Sequence, residues 1–242
     1  MGENLQLLTE QLNNTIVPYD LMELYHDLRY RTKNRESWKV VSENRLWSEL
    51  VFCILSANVS FELAKSVISV LHKKNYLDTA WLLSRKNAST VLYNELREPN
   101  FHPKKKDGSL RRYRYPRKAE LIVKASQIIY RNGLTIKELL QNSASDFALR
   151  NQLANTVPGI GLKEASHFLR NVGYSDSLAI IDVHVFNFCK DFLFNDSPNS
   201  RLQPQKDYFL LERVLQNFTS YHKLNLAIFD LAIWFYMRQQ SA

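Results

Sequence analysis

The chain has 242 residues and a mass of 28.4 kDa, which is enough for one large domain or for two small lobes with separate cores. No apolar run reaches the roughly 18 residues of a membrane span, and two cysteines cannot supply the four thiolates of a structural zinc or iron–sulfur site. The net charge of +8 and the pI of about 9.4 predict a polyanionic partner.

The N-terminus, MGENLQLLTEQL, begins with Met-Gly but has neither a basic n-region nor an apolar h-region. We therefore expect no secretion signal and a cytoplasmic location. Cys53 and Cys189 both lie in apolar or aromatic stretches, so we expect buried free thiols.

Apolar residues recur at steps of three and four, which predicts an all-α chain of about ten helices. The clearest series are Leu46, Leu50, Cys53, Ile54 and Ala57; Leu121, Ala125, Ile128 and Ile129; and Leu211, Val214, Leu215 and Phe218. Helix-breaking residues separate the series at Pro99 to Gly108, Asn132-Gly133, Pro158 to Gly161, Gly173, and Asn195 to Gln205 with Pro198 and Pro204. We expect one lobe at residues 42–140 and a second that combines 1–41 with 141–242.

A basic segment, KKKDGSLRRYRYPRK from Lys104 to Lys118, holds eight Lys or Arg residues and one acid, Asp107. This segment can be interpreted as a solvated loop or as a contact with nucleic acid. Tyr113 and Tyr115 favour the second, because stacking would accompany phosphate attraction. The candidate phosphate contacts include Lys104, Lys105, Lys106, Arg111 and Arg112.

The stretch TVPGIGLKEASHFLRN, from Thr156 to Asn171, predicts a tight hairpin that leads into a helix. Pro158 fixes φ, and Gly159 and Gly161 permit conformations that other residues avoid. Backbone N–H groups at such a turn can bind phosphate without reading bases. Lys163 then falls in the first turn of the helix, where the dipole disfavours an ammonium and favours the nucleophilic neutral amine.

Asp182 ends the apolar run Leu178 to Ile181 and precedes VHVFNF, a pattern typical of a helix N-cap. A carboxylate held in this way can also stabilise a cationic transition state. His184 is expected to be a packed imidazole with no part in the mechanism.

VPGIGLKEASHFLRNVG and LAIIDVH resemble the helix-hairpin-helix and Gly/Pro-Asp (HhH-GPD) signature of the DNA glycosylase superfamily, with the lysine of its bifunctional glycosylase/lyase members. KEASHFLRN resembles the second class of 8-oxoguanine DNA glycosylase/AP lyase, found in archaea and some bacteria. Further stretches similar to that class are ELVFCILSANVS at Glu49 to Ser60, RYPRKAELIV at Arg114 to Val123, and FDLAIWFYM at Phe229 to Met237.

The resemblance implies a two-lobed, all-α glycosylase unit spanning 1–242, with the helix-hairpin-helix at about 148–173. It implies excision of 8-oxoguanine or a related modified guanine from double-stranded DNA in base excision repair. It also implies AP lyase activity, with Lys163 as the nucleophile and Asp182 as the carboxylate that assists departure of the base. We expect no organic cofactor and no iron–sulfur cluster.

The resemblance assigns further residues to the DNA interface. Asn58, in SANVS, would enter the duplex and face the estranged cytosine, although a polar residue ending a helix remains an alternative. Trp234 would lie near the extruded base, although a core tryptophan remains an alternative. A structural monovalent cation, K⁺ or Na⁺, would bind the main-chain carbonyls of Asn155, Val157 and Ile160.

Two departures from the second class leave other functions open. The chain ends MRQQSA without a lysine-rich tail, and the basic insertion from Lys104 to Arg112 is longer than in compact relatives. The alternatives are action on another modified nucleobase, a role in a bacterial antiviral system with a protein partner docked on the insertion, and a noncatalytic DNA-binding module.

Overall fold

The computed structural model describes residues 17–33, 35–193, 203 and 206–240. The segment MGENLQLLTEQL, both prolines of the predicted 195–205 break, and the last two residues of MRQQSA lie outside these ranges. Within them the chain forms twelve α-helices, one π-helix and no strand, so the all-α prediction is confirmed. An isolated antiparallel bridge joins Phe101 and Arg111. None of the described helices has the length and apolar character needed to cross a bilayer.

Residues 36–174 form one compact unit. Its helices are α2 (Glu43–Ser56), α3 (Phe61–Lys73), α4 (Thr79–Ser84), α5 (Ala88–Arg97), α6 (Lys118–Tyr130), α7 (Ile136–Gln141), α8 (Asp146–Thr156) and α9 (Leu162–Asn171). Helix α2 is central, because α3, α6, α7 and α9 all pack against it. The predicted series Leu46, Leu50, Cys53 and Ile54 is fully buried on α2, so the hydrophobic effect fixes this helix in the core.

The described residues within 17–35 and 175–240 form the other compact unit. It contains α1 (Tyr19–Arg31), α10 (Val183–Phe188), a π-helix (Cys189–Leu193), α11 (Tyr208–Tyr221) and α12 (Leu226–Gln240). Helix α12 packs against α1, α10 and α11. The buried Phe229 of α12 contacts the rings of Tyr25, Phe188 and Phe218, one from each of these helices.

The division between the units differs from the expected lobe boundary. Residues 141–174 belong with the middle of the chain, and not with the C-terminal segment. The physical reason is that α9 buries Ala165, Phe168 and Leu169 and packs on α2. A hydrogen bond of 2.7 Å from Asn171 Nδ2 to Glu49 Oε1 also joins α9 to α2. The helix-hairpin-helix is therefore part of the 36–174 unit.

Both cysteines are free and fully buried, Cys53 on α2 and Cys189 at the start of the π-helix. Burial raises the pKa of each thiol. The prediction of buried free thiols is confirmed.

Candidate active site and nucleic-acid interface

The hairpin joins α8 to α9 through residues 157–161, as the sequence predicts. Gly159 has a φ of +83°, and a Cβ at this position would lie 3.0 Å from Leu121 Cδ1 and 3.1 Å from Ile54 Cγ2. Gly159 is therefore required by both conformation and space. Gly161 differs from the expectation, because its φ of −99° is ordinary extended backbone. Its Cβ would approach only the Glu164 carboxylate, at 3.1 Å.

Lys163 lies in the first turn of α9 and its side chain is 31% exposed. Its Nζ atom is 3.1 Å from Oε1 of Glu164. Oε2 of Glu164 accepts the N–H of Gly161 at 3.2 Å. One carboxylate thus ties the amine to the backbone of the hairpin, a contact that the sequence analysis had not predicted.

Partly buried polar side chains surround Lys163. His167, one turn further along α9, packs edge-to-face on Phe52 of α2. Burial, and then the charges of Arg170 and Lys163, lower the pKa of His167 to about 3. Burial raises the pKa of Glu49, the partner of Asn171. With this lowered pKa, the His167 imidazole is neutral at physiological pH.

Lys118, the first residue of α6, was not predicted as a site residue. Its Nζ donates to the carbonyls of Ile54 at 2.8 Å and Ala57 at 2.7 Å, and more weakly to that of Leu55 at 3.4 Å. The ammonium also lies over the rings of Tyr113 and Tyr115. The signal that marked Lys163, a lysine in a first helical turn, is present at Lys118 as well.

Asn58 is exposed in the turn between α2 and α3, directly after the carbonyls that Lys118 binds. Its φ of +61° is left-handed, a conformation that asparagine tolerates better than most residues. Ser60 caps α3 by accepting the N–H of Leu63. The side chain predicted to enter DNA is thus presented on a structured turn outside the helix.

The insertion forms a short hairpin that we call the basic arm, residues 101–112. Phe101 and Arg111 exchange two backbone hydrogen bonds, of 3.0 and 2.8 Å, at its base. Asp107 accepts both the N–H and the hydroxyl of Ser109 near the tip. The arm exposes four of the predicted phosphate contacts: Lys104, Lys105, Lys106 and Arg112.

For the basic segment, the expectation for Tyr113 needs correction, and Arg111 makes a contact that was not expected. Tyr113 is only 2% exposed, and its hydroxyl donates to the Leu55 carbonyl, so it cannot stack on a base. The guanidinium of Arg111 donates to the Pro103 carbonyl at 2.7 Å and therefore holds the arm together. Tyr113 belongs to the core, whereas Arg111 is partly exposed, so a phosphate contact by Arg111 stays a prediction.

Asp182 caps α10 in the other unit, as predicted. Oδ1 accepts the N–H groups of His184 and Val185, each at 2.9 Å. No hydrogen bond to Oδ2 occurs among the residues that the structure describes. One carboxylate oxygen thus fixes the side chain while the other remains available.

Buried polar side chains that were not predicted as site residues hold the extended segment before Asp182. Glu212 accepts the N–H of Ala179 at 3.0 Å, and Asp230 accepts the N–H of Ile180. The Tyr208 hydroxyl donates to the Ala179 carbonyl at 2.8 Å. An acid inside an otherwise apolar helical pattern, as in FDLAIWFYM, is the signal that could have identified Asp230.

Trp234 lies on α12 and is partly exposed, so it is not a core tryptophan. The His184 ring lies edge-to-face against its indole with centroids 6.1 Å apart, and the Arg238 guanidinium lies 5.0 Å from its centroid. The packed environment expected for His184 thus includes Trp234, close to the residue that caps α10.

The carbonyls predicted to hold a monovalent cation lie at the C-terminal end of α8 and in the hairpin. The Val157 carbonyl accepts the N–H of Ile160 at 3.1 Å, and helix C-terminal carbonyls carry partial negative charge. Neutral oxygen donors of this kind suit K⁺ or Na⁺. No cluster of three His, Cys, Asp or Glu side chains suited to a metal occurs among the described residues.

The predicted residues divide between the two units. The 36–174 unit contains Lys163, the hairpin, Asn58 and the basic arm, and Lys118 links Asn58 to the surroundings of Lys163. The other unit contains Asp182 and Trp234.

Comparisons with known proteins agree with this geometry. A family profile for 8-oxoguanine DNA glycosylase matches residues 29–224. The 8-oxoguanine DNA glycosylase/AP lyase of Sulfurisphaera tokodaii is 34% identical over 86% of this chain and 91% of its own. The one from Korarchaeum cryptofilum is 30% identical over 83% of this chain and 84% of its own.

Two solved structures have a similar fold. The Methanocaldococcus jannaschii 8-oxoguanine glycosylase/lyase, in complex with a 15mer DNA containing 8-oxoguanine, is 28% identical with a TM-score of 0.66, and the match covers 90% of this chain and 94% of that one. For the 8-oxoguanine DNA glycosylase of Thermotoga maritima the identity is 27%, the TM-score 0.62, and the coverage 89% and 96%. From this profile match and these similarities, the chain belongs to the 8-oxoguanine DNA glycosylase family.

Proposed function

We propose that this protein is a bifunctional DNA glycosylase/AP lyase that excises 8-oxoguanine, or a closely related modified guanine, from duplex DNA in base excision repair. The observation that carries the proposal is the position of Lys163. It is a partly exposed amine in the first turn of the helix that follows a glycine hairpin, within the segment that the family profile matches. A binding module would not require an amine at a place where helix electrostatics oppose its charge.

In the proposed reaction the target nucleotide first leaves the base stack, at a cost of a few kcal/mol. The neutral amine of Lys163 forms a bond to the sugar C1′ as the C1′–N9 bond breaks, and the base leaves with the bonding electrons and takes up a proton. The sugar ring then opens to a Schiff base on Lys163. Loss of a C2′ proton expels the 3′ phosphate, and hydrolysis of the imine releases the enzyme.

Asp182 has the role of an electrostatic stabiliser in this proposal. As the C1′–N9 bond stretches, positive charge develops on the sugar, and a fixed carboxylate lowers the energy of that state. The bonds from His184 and Val185 hold the carboxylate so that it need not reorganise during the reaction. Glu212 and Asp230 support it indirectly by anchoring the segment that precedes it.

The DNA contacts that we propose come from separate features. The hairpin with Gly159 and Gly161 would bind backbone phosphate, Asn58 would enter the duplex, and Trp234 would lie near the extruded base. The exposed cations of the basic arm would add phosphate contacts. A monovalent cation on the carbonyls of Asn155, Val157 and Ile160 would stabilise the hairpin, and a cytoplasmic location follows from the proposed role.

Borohydride trapping tests the proposal, because reduction converts a lysine Schiff base into a stable covalent bond to DNA. We expect trapping on a duplex with one 8-oxoguanine opposite cytosine, and its loss in Lys163→Gln while binding survives. Lys124→Gln, an exposed lysine on α6, is the matched control and should trap normally. Trapping that persists in Lys163→Gln would remove Lys163 from this role. Duplexes with other single modified bases would show whether another base is the substrate.

A further inference from the structure

Lys118 is an unusual side chain because its ammonium is drawn into the protein at the junction of two helix ends. It belongs to the first turn of α6, where the helix dipole opposes a positive charge, but its Nζ reaches the C-terminal end of α2, where the carbonyls carry partial negative charge. The α2 carbonyls therefore supply the interaction that holds the charge there. Burial lowers the pKa of Lys118 to about 8, which leaves the ammonium, with three N–H donors, as the main form at neutral pH.

The carbonyls that Lys118 binds control the residue that follows them. Ala57 leaves the helical conformation, with a ψ of 122°, so its carbonyl turns away from the helix axis and accepts from Lys118 at 2.7 Å. This carbonyl belongs to the peptide group that precedes Asn58, and its orientation sets the φ of Asn58. That residue has the left-handed φ of +61°, which is higher in energy than extended or helical backbone and needs support from its surroundings.

Other bonds at the same turn complete the support. The Tyr113 hydroxyl donates to the Leu55 carbonyl, and the N–H of Val59 donates to the Ser56 carbonyl at 3.2 Å. The bond from Val59 holds the peptide group that follows Asn58, and the bond from Lys118 to the Ala57 carbonyl holds the one that precedes it.

From this geometry we infer that Lys118 is a positioning residue for the DNA interface: through the Ala57 carbonyl it locks the turn that presents Asn58 to the strand opposite the lesion. It acts neither as a nucleophile nor as a phosphate contact, since its donors are directed at α2. The inference rests on the proposed function, in which Asn58 faces the opposite base. It also separates Lys118 from the rest of the basic segment, whose exposed cations are available to DNA.

The test is a double-mutant cycle on binding, made in the Lys163→Gln background so that chemistry does not interfere. Affinity is measured for 8-oxoguanine opposite cytosine and opposite adenine, with Asn58→Ala, Lys118→Met and the double variant. Each single variant should lower the preference for cytosine about tenfold, the effect expected when one hydrogen bond to the opposite base is lost. The double variant should lose no more than one single variant, because both changes remove the same interaction. Lys118→Arg, which keeps charge and donors, should retain most of the preference.

An unchanged preference in Lys118→Met, or additive losses in the double variant, would overturn the inference. Thermal unfolding checks that each variant is folded, and Lys118→Gln, which removes the charge and shortens the side chain, replaces Lys118→Met with the same expected loss if that variant does not fold. If the parent shows no preference for 8-oxoguanine over guanine, the proposed function is wrong, and base preference can no longer test the role of Lys118. Amide hydrogen exchange then decides the role of Lys118: protection of the Val59 amide should fall in Lys118→Met and persist in Lys118→Arg. Equal protection in both would refute the positioning role.

Discussion

Glu164 contacts Lys163 and the hairpin at once, with one oxygen 3.1 Å from the amine and the other 3.2 Å from the Gly161 nitrogen. The ion pair therefore fixes the position of the Lys163 amine relative to the backbone of the hairpin.

The charge of Glu164 can be removed without losing its shape. In Glu164→Gln the side chain can still accept the N–H of Gly161 but no longer forms an ion pair with Lys163, so the amine should be held less firmly and borohydride trapping should become slower. The single-turnover rate of trapping, measured beside that of the parent, checks this. Glu164→Ala, which also removes the contact with Gly161, should lose affinity for DNA as well. An unchanged trapping rate in Glu164→Gln would mean that this ion pair does not position the amine.

Replacing Asp182 by Asn separates its negative charge from its capping bonds. Asparagine caps helices well, so the melting temperature should change little. Excision should fall at least about tenfold if the charge stabilises a developing cation. Excision of the base and the melting temperature are measured on the same preparation. A folded variant with near-normal excision would leave Asp182 only its capping role.

The basic arm predicts a distinctive response to salt. Changing Lys104, Lys105 and Lys106 together to Ser should weaken binding to damaged and undamaged duplexes equally, because phosphate contacts do not read bases. Each lost contact should reduce the slope of log affinity against log salt by about 0.9. Titrations at several salt concentrations measure both effects. Unchanged affinity and slope would favour a solvated arm, or an arm that docks a protein.

The two hairpin glycines should respond differently to the same substitution. Gly159→Ala places a methyl group against Leu121 and Ile54 at a φ of +83°, and should destabilise the fold by about 1–3 kcal/mol. Gly161→Ala meets only a carboxylate at ordinary φ and should cost less than about 1 kcal/mol. Denaturant unfolding of the matched pair measures the difference. Equal losses would contradict the packing described for Gly159.

His167 predicts a loss of stability in mild acid. Its pKa is lowered in the folded state, to about 3, so the unfolded chain binds a proton near pH 6.5 that the folded chain does not. The contribution of His167 to the free energy of unfolding is therefore complete above pH 6.5 and declines as the pH falls towards 3. Between pH 6.5 and 5 the decline should reach about 1 kcal/mol, less than the full linkage slope because the residue is partly exposed. His167→Asn should show a flatter pH dependence of the unfolding free energy than the parent. If the two curves run parallel, His167 is not the cause of the loss of stability in acid.

Local patterns were sufficient to predict the helices, the hairpin and the cap at Asp182. Leu46, Leu50 and Ile54 are buried because helical spacing places them on one face. Lys118 and Tyr113 could not be placed by such patterns, since their partners are carbonyls about sixty positions away. By sequence Tyr113 belongs to a basic segment, but in the tertiary structure it packs in the core.

The unit boundary has the same explanation. Residues 141–174 join the middle of the chain through the contact of α9 with α2. Helix-breaking residues mark where helices end, but they do not show which distant helices pack together. Likewise, Glu212 and Asp230 orient Asp182 through backbone bonds from Ala179 and Ile180, which no spacing rule connects.

The burial of both cysteines matters for an enzyme that acts on oxidised DNA. Peroxides attack the thiolate, and the raised pKa values of Cys53 and Cys189 keep both side chains in the thiol form. Neither sulfur reaches solvent. Under the oxidising conditions that generate 8-oxoguanine, the protein should therefore resist inactivation through its own cysteines and remain competent while its substrate accumulates.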